Sequence, residues 1–104
     1  MQVSERALRE IYLSAFEAGV TEGKVRCVMS SYNLVNGYHS SANYHLLADI
    51  LKTDWGFDGT VMSDWGGVHE TTAVAAGNDL EMPTAKNMSV AQLQTALALV
   101  VFFF

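Results

Sequence analysis

Two short apolar runs constrain this chain most. Val25, Cys27, Val28 and Met29 form the first, and Val61 and Met62 the second; each breaks abruptly into polar or glycine-rich sequence. Runs this short suit strands, and apolar residues on both faces of the first suit a strand covered on two sides, as in a parallel sheet. Residues 3–22 read as a helix, with Leu8, Ile11, Tyr12, Ala15 and Phe16 on one apolar face. Ser4 is its expected N-cap, Glu5 favours its dipole, and Gly23 suits the residue just past its end. Arg6, Arg9, Glu10 and Glu17 make its solvated face.

The first strand ends in Ser30-Ser31-Tyr32-Asn33, and Asn36-Gly37 marks a turn. No alternating strand comes after that turn, so the reading is a turn into a helix rather than a hairpin. Ser41 or Asn43 caps this second helix, and Tyr44, Leu47, Ala48 and Leu51 are its apolar face. Lys52 falls near its end, and Trp55-Gly56-Phe57 and Asp58-Gly59 close the unit. After the second apolar run, residues 68–76 read as a third helix ending at Gly77-Asn78. A short strand over residues 79–82 stops at Pro83. The order helix, strand, helix, strand, helix, short strand implies βα units, an α/β class and a parallel sheet. Two or three strands cannot close a barrel, and an eight-unit barrel takes about 250 residues. The pattern is a slice of such a domain.

Composition narrows the function. The chain has 104 residues, half of them hydrophobic, which is enough for one small ordered domain. A net charge of −5 argues against nucleic acid or an anionic membrane as partner. The single Cys27 excludes an internal disulfide and reads as a buried, inert thiol. His39, His45 and His69 lack metal-ligand spacing and read as surface or loop residues. The N-terminus carries no charged-then-apolar signal pattern, so the signal of a secreted parent would lie elsewhere.

Asp64 stands between the second apolar run and Trp65-Gly66-Gly67, where a strand breaks into a loop. Enzymes built on parallel sheets place chemistry at such ends. An aspartate there also serves as a turn residue or a helix N-cap. If it does chemistry, the neighbouring strand end offers Glu81 as a second carboxylate. Adjacent strands lie about 4.8 Å apart, close enough for two carboxyl groups to work as a pair.

Five motifs in order then resemble the glycoside hydrolase family 3 β-glucosidases. They are Val3-Ser4-Glu5-Arg6-Ala7-Leu8-Arg9-Glu10-Ile11-Tyr12-Leu13; Val28-Met29-Ser30-Ser31-Tyr32-Asn33 with Asn36-Gly37; Leu47 to Leu51 with Trp55-Gly56-Phe57-Asp58-Gly59; Ser63-Asp64-Trp65-Gly66; and Gly77-Asn78-Asp79-Leu80-Glu81-Met82-Pro83. The resemblance implies a partial (β/α)8 TIM barrel over residues 1–83, its later βα units only. It implies that Asp64 is the catalytic nucleophile of a retaining, exo-acting β-glucosidase, an O-glycosyl hydrolase of carbohydrate and cellulose breakdown. It implies that Trp65 lines the sugar subsite, that Tyr32 sits near the nucleophile and that Met29 shares that strand end. It places the acid/base after the barrel, outside this chain, which reduces Glu81 to a structural residue. A β-glucoside or oligosaccharide is the implied substrate, secretion the implied location, and no cofactor, metal, membrane or nucleic acid is called for. The site then needs the remaining barrel units and an acid/base domain, and the chain alone is expected to be inactive.

Residues 84–104 depart from the family pattern and read as a divergent, truncated tail. A helix is expected from about Met88, and Leu97 to Phe104 form an uncharged, aggregation-prone ending. The alternative to an enzyme segment is an inactive truncated product, or a sugar-binding remnant that keeps Tyr32 and Trp65 without turnover.

Overall fold

The computed structural model describes residues 1–98. The first helical stretch comprises α1 (Glu5–Ala7), a wider π-wound segment (Leu8–Tyr12) and α2 (Ser14–Thr21). Ser4 caps it as expected, its Oγ accepting from the Ala7 N–H at 3.2 Å. The wide segment closes with the Leu13 N–H on the Leu8 carbonyl. At the far end the left-handed residue is Lys24, with φ 57°, and not Gly23. Gly23 is needed for space instead, because a Cβ there would lie 2.8 Å from the Gly19 carbonyl oxygen.

Strand β1 (Cys27–Ser30) pairs in parallel with β4 (Thr60–Ser63), matching Cys27 with Thr60, Val28 with Val61, Met29 with Met62 and Ser30 with Ser63. Gly59 permits that approach: a Cβ on it would sit 2.1 Å from the Arg26 carbonyl oxygen, which accepts from the Thr60 N–H. A third position joins in parallel where Leu80 bridges Met62. The expected strand over residues 79–82 contracts to that bridge: the Asp79 carboxylate takes the Val61 N–H of β4, and the Glu81 carboxylate takes the N–H groups of Asn87 and Met88 in the loop beyond.

Between the paired strands the chain makes the hairpin that the sequence reading set aside, β2 (Leu34–Val35) and β3 (Tyr38–His39). Asn36 and Gly37 take positive φ angles of 51° and 90°, as a tight two-residue hairpin turn requires. Strands of two residues are too short to show alternation, so the turn was their whole signal.

A 3-10 turn (Ser40–Ala42) leads into a π-wound helix (His45–Asp54). Asn43 is its cap, accepting from the Leu46 N–H at 3.1 Å, while Ser41 donates to the Gly67 carbonyl. Leu47, Ile50 and Leu51 are buried and Tyr44 is exposed. The wider i→i+5 winding turns less per residue than an α-helix, which carries Tyr44 off the buried face. Only α3 (Ala73–Ala76) forms from the expected helix over residues 68–76. The stretch before it is held by the loop opposite, with Asn87 Nδ2 donating to the Val68 carbonyl and Thr71 Oγ1 to the Asn87 carbonyl. α4 (Val90–Ala98) begins with a reciprocal cap: the Gln92 N–H donates to Ser89 Oγ and the Ser89 N–H to Gln92 Oε1. The expected aggregation-prone ending lies mostly outside the described residues.

One sheet face packs on the helices. Val20, Leu47, Leu51, Phe57 and Val61 form the main cluster, with Val28 and Trp55 against it. Trp55 also touches a second cluster of Leu8, Val35 and Ile50. Burying each large aliphatic side chain contributes about 1.5–3 kcal/mol. The opposite sheet face, with Cys27, Met29 and Thr60, is open, contrary to the expectation of a doubly covered strand and a buried thiol. Alternation explains this: Val28 and Ser30 point to the helices, so Cys27 and Met29 point away, and no described residue covers them. A groove of about 670 Å³ runs along the β1 edge past Tyr12, Phe16 and Val25. Of the helical face expected to be apolar and packed, Leu8 alone is buried; Ile11 is 69 % exposed and Phe16 58 %.

That open apolar face predicts self-association of the chain in isolation. Replacing Ile11 with Lys and Phe16 with Glu removes few internal contacts. It should shift the chain toward monomer in sedimentation velocity while leaving its circular dichroism unchanged; an unaltered distribution would show that another surface drives association.

Ion pairs join the two long helical stretches. Arg9 bridges Glu5 at 2.7 Å and Asp54 at 2.8 Å. His45 Nε2 lies 2.9 Å from Glu5, and its Nδ1 lies 3.1 Å from Asp49. Glu5, then Asp49, raises the His45 pKa above its ordinary 6.5. Arg9, then His45, holds the Glu5 carboxyl below its ordinary 4.5. The histidine's contribution is complete below 6.5 and is lost as pH rises through its raised value. The glutamate's is present above 4.5 and is lost as pH falls through its lowered value. The staple is therefore complete between those limits. An NMR titration of the His45 ring should give a midpoint above 6.5, and Glu5→Gln should bring it down.

Candidate active site

The two parallel strands end in the same three residues. Val28-Met29-Ser30 and Val61-Met62-Ser63 lie side by side in register, so the loops that leave the two strands also start side by side. The Asp64 N–H donates to the Ser30 carbonyl at 3.0 Å, extending the ladder one residue past β4. Asp64 thus leaves the carboxyl end of β4 beside Ser31, and Tyr32 leaves the end of the adjacent strand. The Gly67 N–H turns back onto the Asp64 carbonyl at 2.9 Å.

The Asp64 carboxylate is oriented by its own loop, with Oδ1 accepting from the Trp65 N–H at 2.7 Å. Tyr32 Oη donates to the Trp65 carbonyl at 2.7 Å. Partial desolvation of the phenol, and then the nearby Asp64 carboxylate, lift the Tyr32 pKa above its ordinary value. The Tyr32 hydroxyl keeps its proton, which it gives to the Trp65 carbonyl. Tyr32 and Trp65 are each about half exposed, at 50 % and 51 %. Met29, on the open face of β1, is exposed. Asp64, Tyr32 and Trp65 are joined by these bonds, and Met29 stands three residues before Tyr32.

Beneath the site lies a buried polar belt that the sequence reading missed. Ser30 Oγ donates to Asn78 Oδ1 at 3.0 Å, and Asn78 Nδ2 to the Leu80 carbonyl at 3.2 Å. Ser63 Oγ accepts from the Met82 N–H at 3.0 Å. The doubled Val-Met-Ser was the available signal, since a serine closing each strand marks where a polar layer replaces the apolar one. Among the described residues every buried side-chain nitrogen and oxygen has a partner.

Glu81 is buried and fully engaged. Its Oε1 accepts from the N–H groups of Asn87 and Met88, each at 2.8 Å, and its Oε2 from Asn87 Nδ2 at 3.2 Å. These bonds fold residues 84–88 back over the sheet end. Among the described residues, no group of three or more His, Cys, Asp and Glu side chains is placed to hold a metal.

The chain belongs to the family defined by the glycosyl hydrolase family 3 N terminal domain, whose model matches residues 1–101. Among curated relatives, Beta-glucosidase B of Emericella nidulans is 54 % identical over 82 residues, covering 78 % of this chain and 10 % of that protein. An Exo-alpha-(1->6)-L-arabinopyranosidase of Bifidobacterium longum is 53 % identical over 83 residues, covering 79 % and 11 %. The solved structure of beta-glucosidase 3B from Thermotoga neapolitana in complex with glucose superposes with a TM-score of 0.89 at 41 % identity, covering 98 % of this chain and 15 % of that one. The chain spans about a tenth of the length of these curated relatives.

The Glu81 bonds set a test of its role. Glu81→Ala leaves three donors without their acceptor, at about 1–3 kcal/mol for an unsatisfied buried group. Trypsin should then cut after Lys86 faster than in the parent chain. Glu81→Gln, which keeps one carbonyl acceptor, should fall between the two. Equal cleavage rates would remove Glu81 from the support of this loop.

Proposed function

We propose that this chain is the nucleophile-bearing segment of a retaining β-glucosidase, a run of later βα units of a (β/α)8 barrel. The observation that carries the reading is Asp64 at the carboxyl end of β4, bound to the Trp65 N–H beside the Tyr32 phenol. A retaining glycosidase needs an ionised carboxylate for attack and a second carboxyl group as acid. In the first step an Asp64 oxygen bonds to the anomeric carbon as the bond to the leaving oxygen breaks. The leaving oxygen takes its proton from an acid outside this chain. Water then attacks the same carbon, gives its proton back to that acid and releases Asp64. Trp65 offers a flat apolar face to the sugar, Tyr32 a hydroxyl to the carboxylate and the sugar's 2-hydroxyl region, and Met29 an apolar surface on the same strand. Glu81 is unsuited to the acid role, because its oxygens already accept from Asn87 and Met88.

A second reading concerns the sugar alone. The β-glucosidase and the arabinopyranosidase match this chain at nearly equal identity. A nucleophile strand of this sequence is compatible with either sugar, so a pentopyranoside is the competing substrate.

The test places residues 1–98 in the aligned segment of the full-length Thermotoga enzyme. This chimera should hydrolyse aryl β-glucosides with retention. Asp64→Ala should lower its kcat by about three to five orders of magnitude while leaving the fold intact. A slowly turned-over fluorinated glucoside should add its mass to the peptide holding Asp64. Label on Glu81, or full activity of Asp64→Ala, overturns the assignment. An arabinopyranoside preferred over the glucoside selects the second reading. The 104-residue chain by itself should show no turnover.

A further inference from the structure

The loops carrying Tyr32 and Asp64 are joined at a second place, away from the Tyr32 hydroxyl. The rings of His39 and His69 stack with centroids 3.9 Å apart and planes 24° from parallel. His39 is the last residue of β3, paired across the hairpin with Leu34. Its Nδ1 lies 3.3 Å from the Tyr32 carbonyl oxygen. A carbonyl only accepts, so that contact requires the proton on Nδ1. His69 comes after Gly66-Gly67-Val68 in the loop that leaves Asp64. A continuous path therefore runs from the Tyr32 main chain through two imidazoles to the loop beyond the carboxylate.

We infer that His39 and His69 are positioning residues, a stacked pair that clamps the Asp64 loop onto the hairpin behind Tyr32 and so sets the nucleophile's geometry. The inference rests on the reading of Asp64 as nucleophile. The need for such a clamp comes from the local sequence. Beyond Asp64 the backbone crosses two glycines without side chains before Val68 is buried, so the loop is anchored on that side mainly through Val68 and its backbone. Its other ties on this side run to its backbone: the Gly67 carbonyl accepts from Ser41 Oγ at 2.8 Å, the Val68 carbonyl from Asn87 Nδ2 at 2.9 Å, and the Gly66 N–H donates to the Met82 carbonyl at 2.8 Å. The stack adds a side-chain to side-chain contact between the two loops on the far side of those glycines. Neither ring is needed for the packed clusters beneath the sheet. A small displacement of reacting groups costs up to about a hundredfold in rate, so the pair's loss should register in kcat more than in KM.

The experiment uses the chimera with His39→Ala, His69→Ala, the double variant, and His69→Phe. Each alanine should lower kcat about 10- to 100-fold with little change in KM. The double variant should be no worse than either single one, because two residues that act only through each other are not additive. His69→Phe keeps a stackable face and should restore most of the rate. Unchanged kcat in both alanine variants, or a phenylalanine as slow as alanine, overturns the inference. Asp64→Ala in the same chimera separates the two claims: if it alone retains full rate, the nucleophile reading fails and not the stack. If the chimera is inactive, the second measurement decides. In the 104-residue chain, NMR cross-peaks should link the two imidazole rings, and their absence overturns the clamp.

Discussion

Everything at this site depends on the register between β1 and β4. Their parallel pairing matches Val28 with Val61 and Ser30 with Ser63. Side chains alternate along a strand, so a slip by one residue would carry Val61 to the open face and Met62 into the helices. It would also move Asp64 away from the Ser30 carbonyl, which its N–H now reaches. The register is held from both ends. Below, Gly59 lets the Thr60 N–H reach the Arg26 carbonyl where any side chain would collide with it. Above, the Tyr32 hydroxyl closes on the Trp65 carbonyl.

The polar belt works because each of its members is satisfied. Ser30, Ser63, Asn78 and Glu81 are all buried, and an unpaired polar group there would cost about 1–3 kcal/mol. Instead Asn78 accepts from Ser30 and donates to the Leu80 carbonyl, while Glu81 gathers the N–H groups of the loop beyond it. The same bonds explain why the third strand is a single bridge. On one side of Leu80 the Asp79 carboxylate takes a β4 N–H, on the other Glu81 holds the loop beyond, and the ladder stops there. The Asp64 carboxylate at the end of β4 thus stands on a layer whose polar groups are already hydrogen-bonded.

The βα order, the Ser4 cap and the strand-end position of Asp64 were legible because each has a local cause. Periodicity, a hydroxyl before a helix, and glycines after an apolar run act within a few residues. The features that escaped depend on neighbours distant in sequence. The exposure of Cys27 and Met29 is set by which elements are present to cover the sheet, and an apolar run reads the same whether covered or open. The hairpin at Asn36-Gly37 was lost for the opposite reason, since its strands are shorter than the pattern used to recognise strands. From sequence Ser30 reads as the start of a polar break and Ser63 as part of a motif. Their repeat within Val-Met-Ser becomes meaningful once the two strands are known to lie in register. Glu81 presented two readings from sequence, and its three donors decide for the structural one.

The similarity pattern then has a physical reading. A β-glucosidase and an arabinopyranosidase share just over half of this chain's residues over the same span. The parts of the chain that the site geometry constrains most tightly are those that set a carboxylate at a fixed height above a polar layer. On the proposed reading such parts act on the anomeric carbon, which a glucoside and a pentopyranoside both have. Discrimination between a glucoside and a pentopyranoside must come from contacts to the far side of the ring, where the sugars differ. Asp64, Tyr32 and Trp65 lie on one edge of the sheet end, and the open face beside Met29 leaves the rest of the ring to groups from other elements. On the proposed reading the segment supplies the nucleophile alone, and the identity of the sugar is left to what packs against its open face.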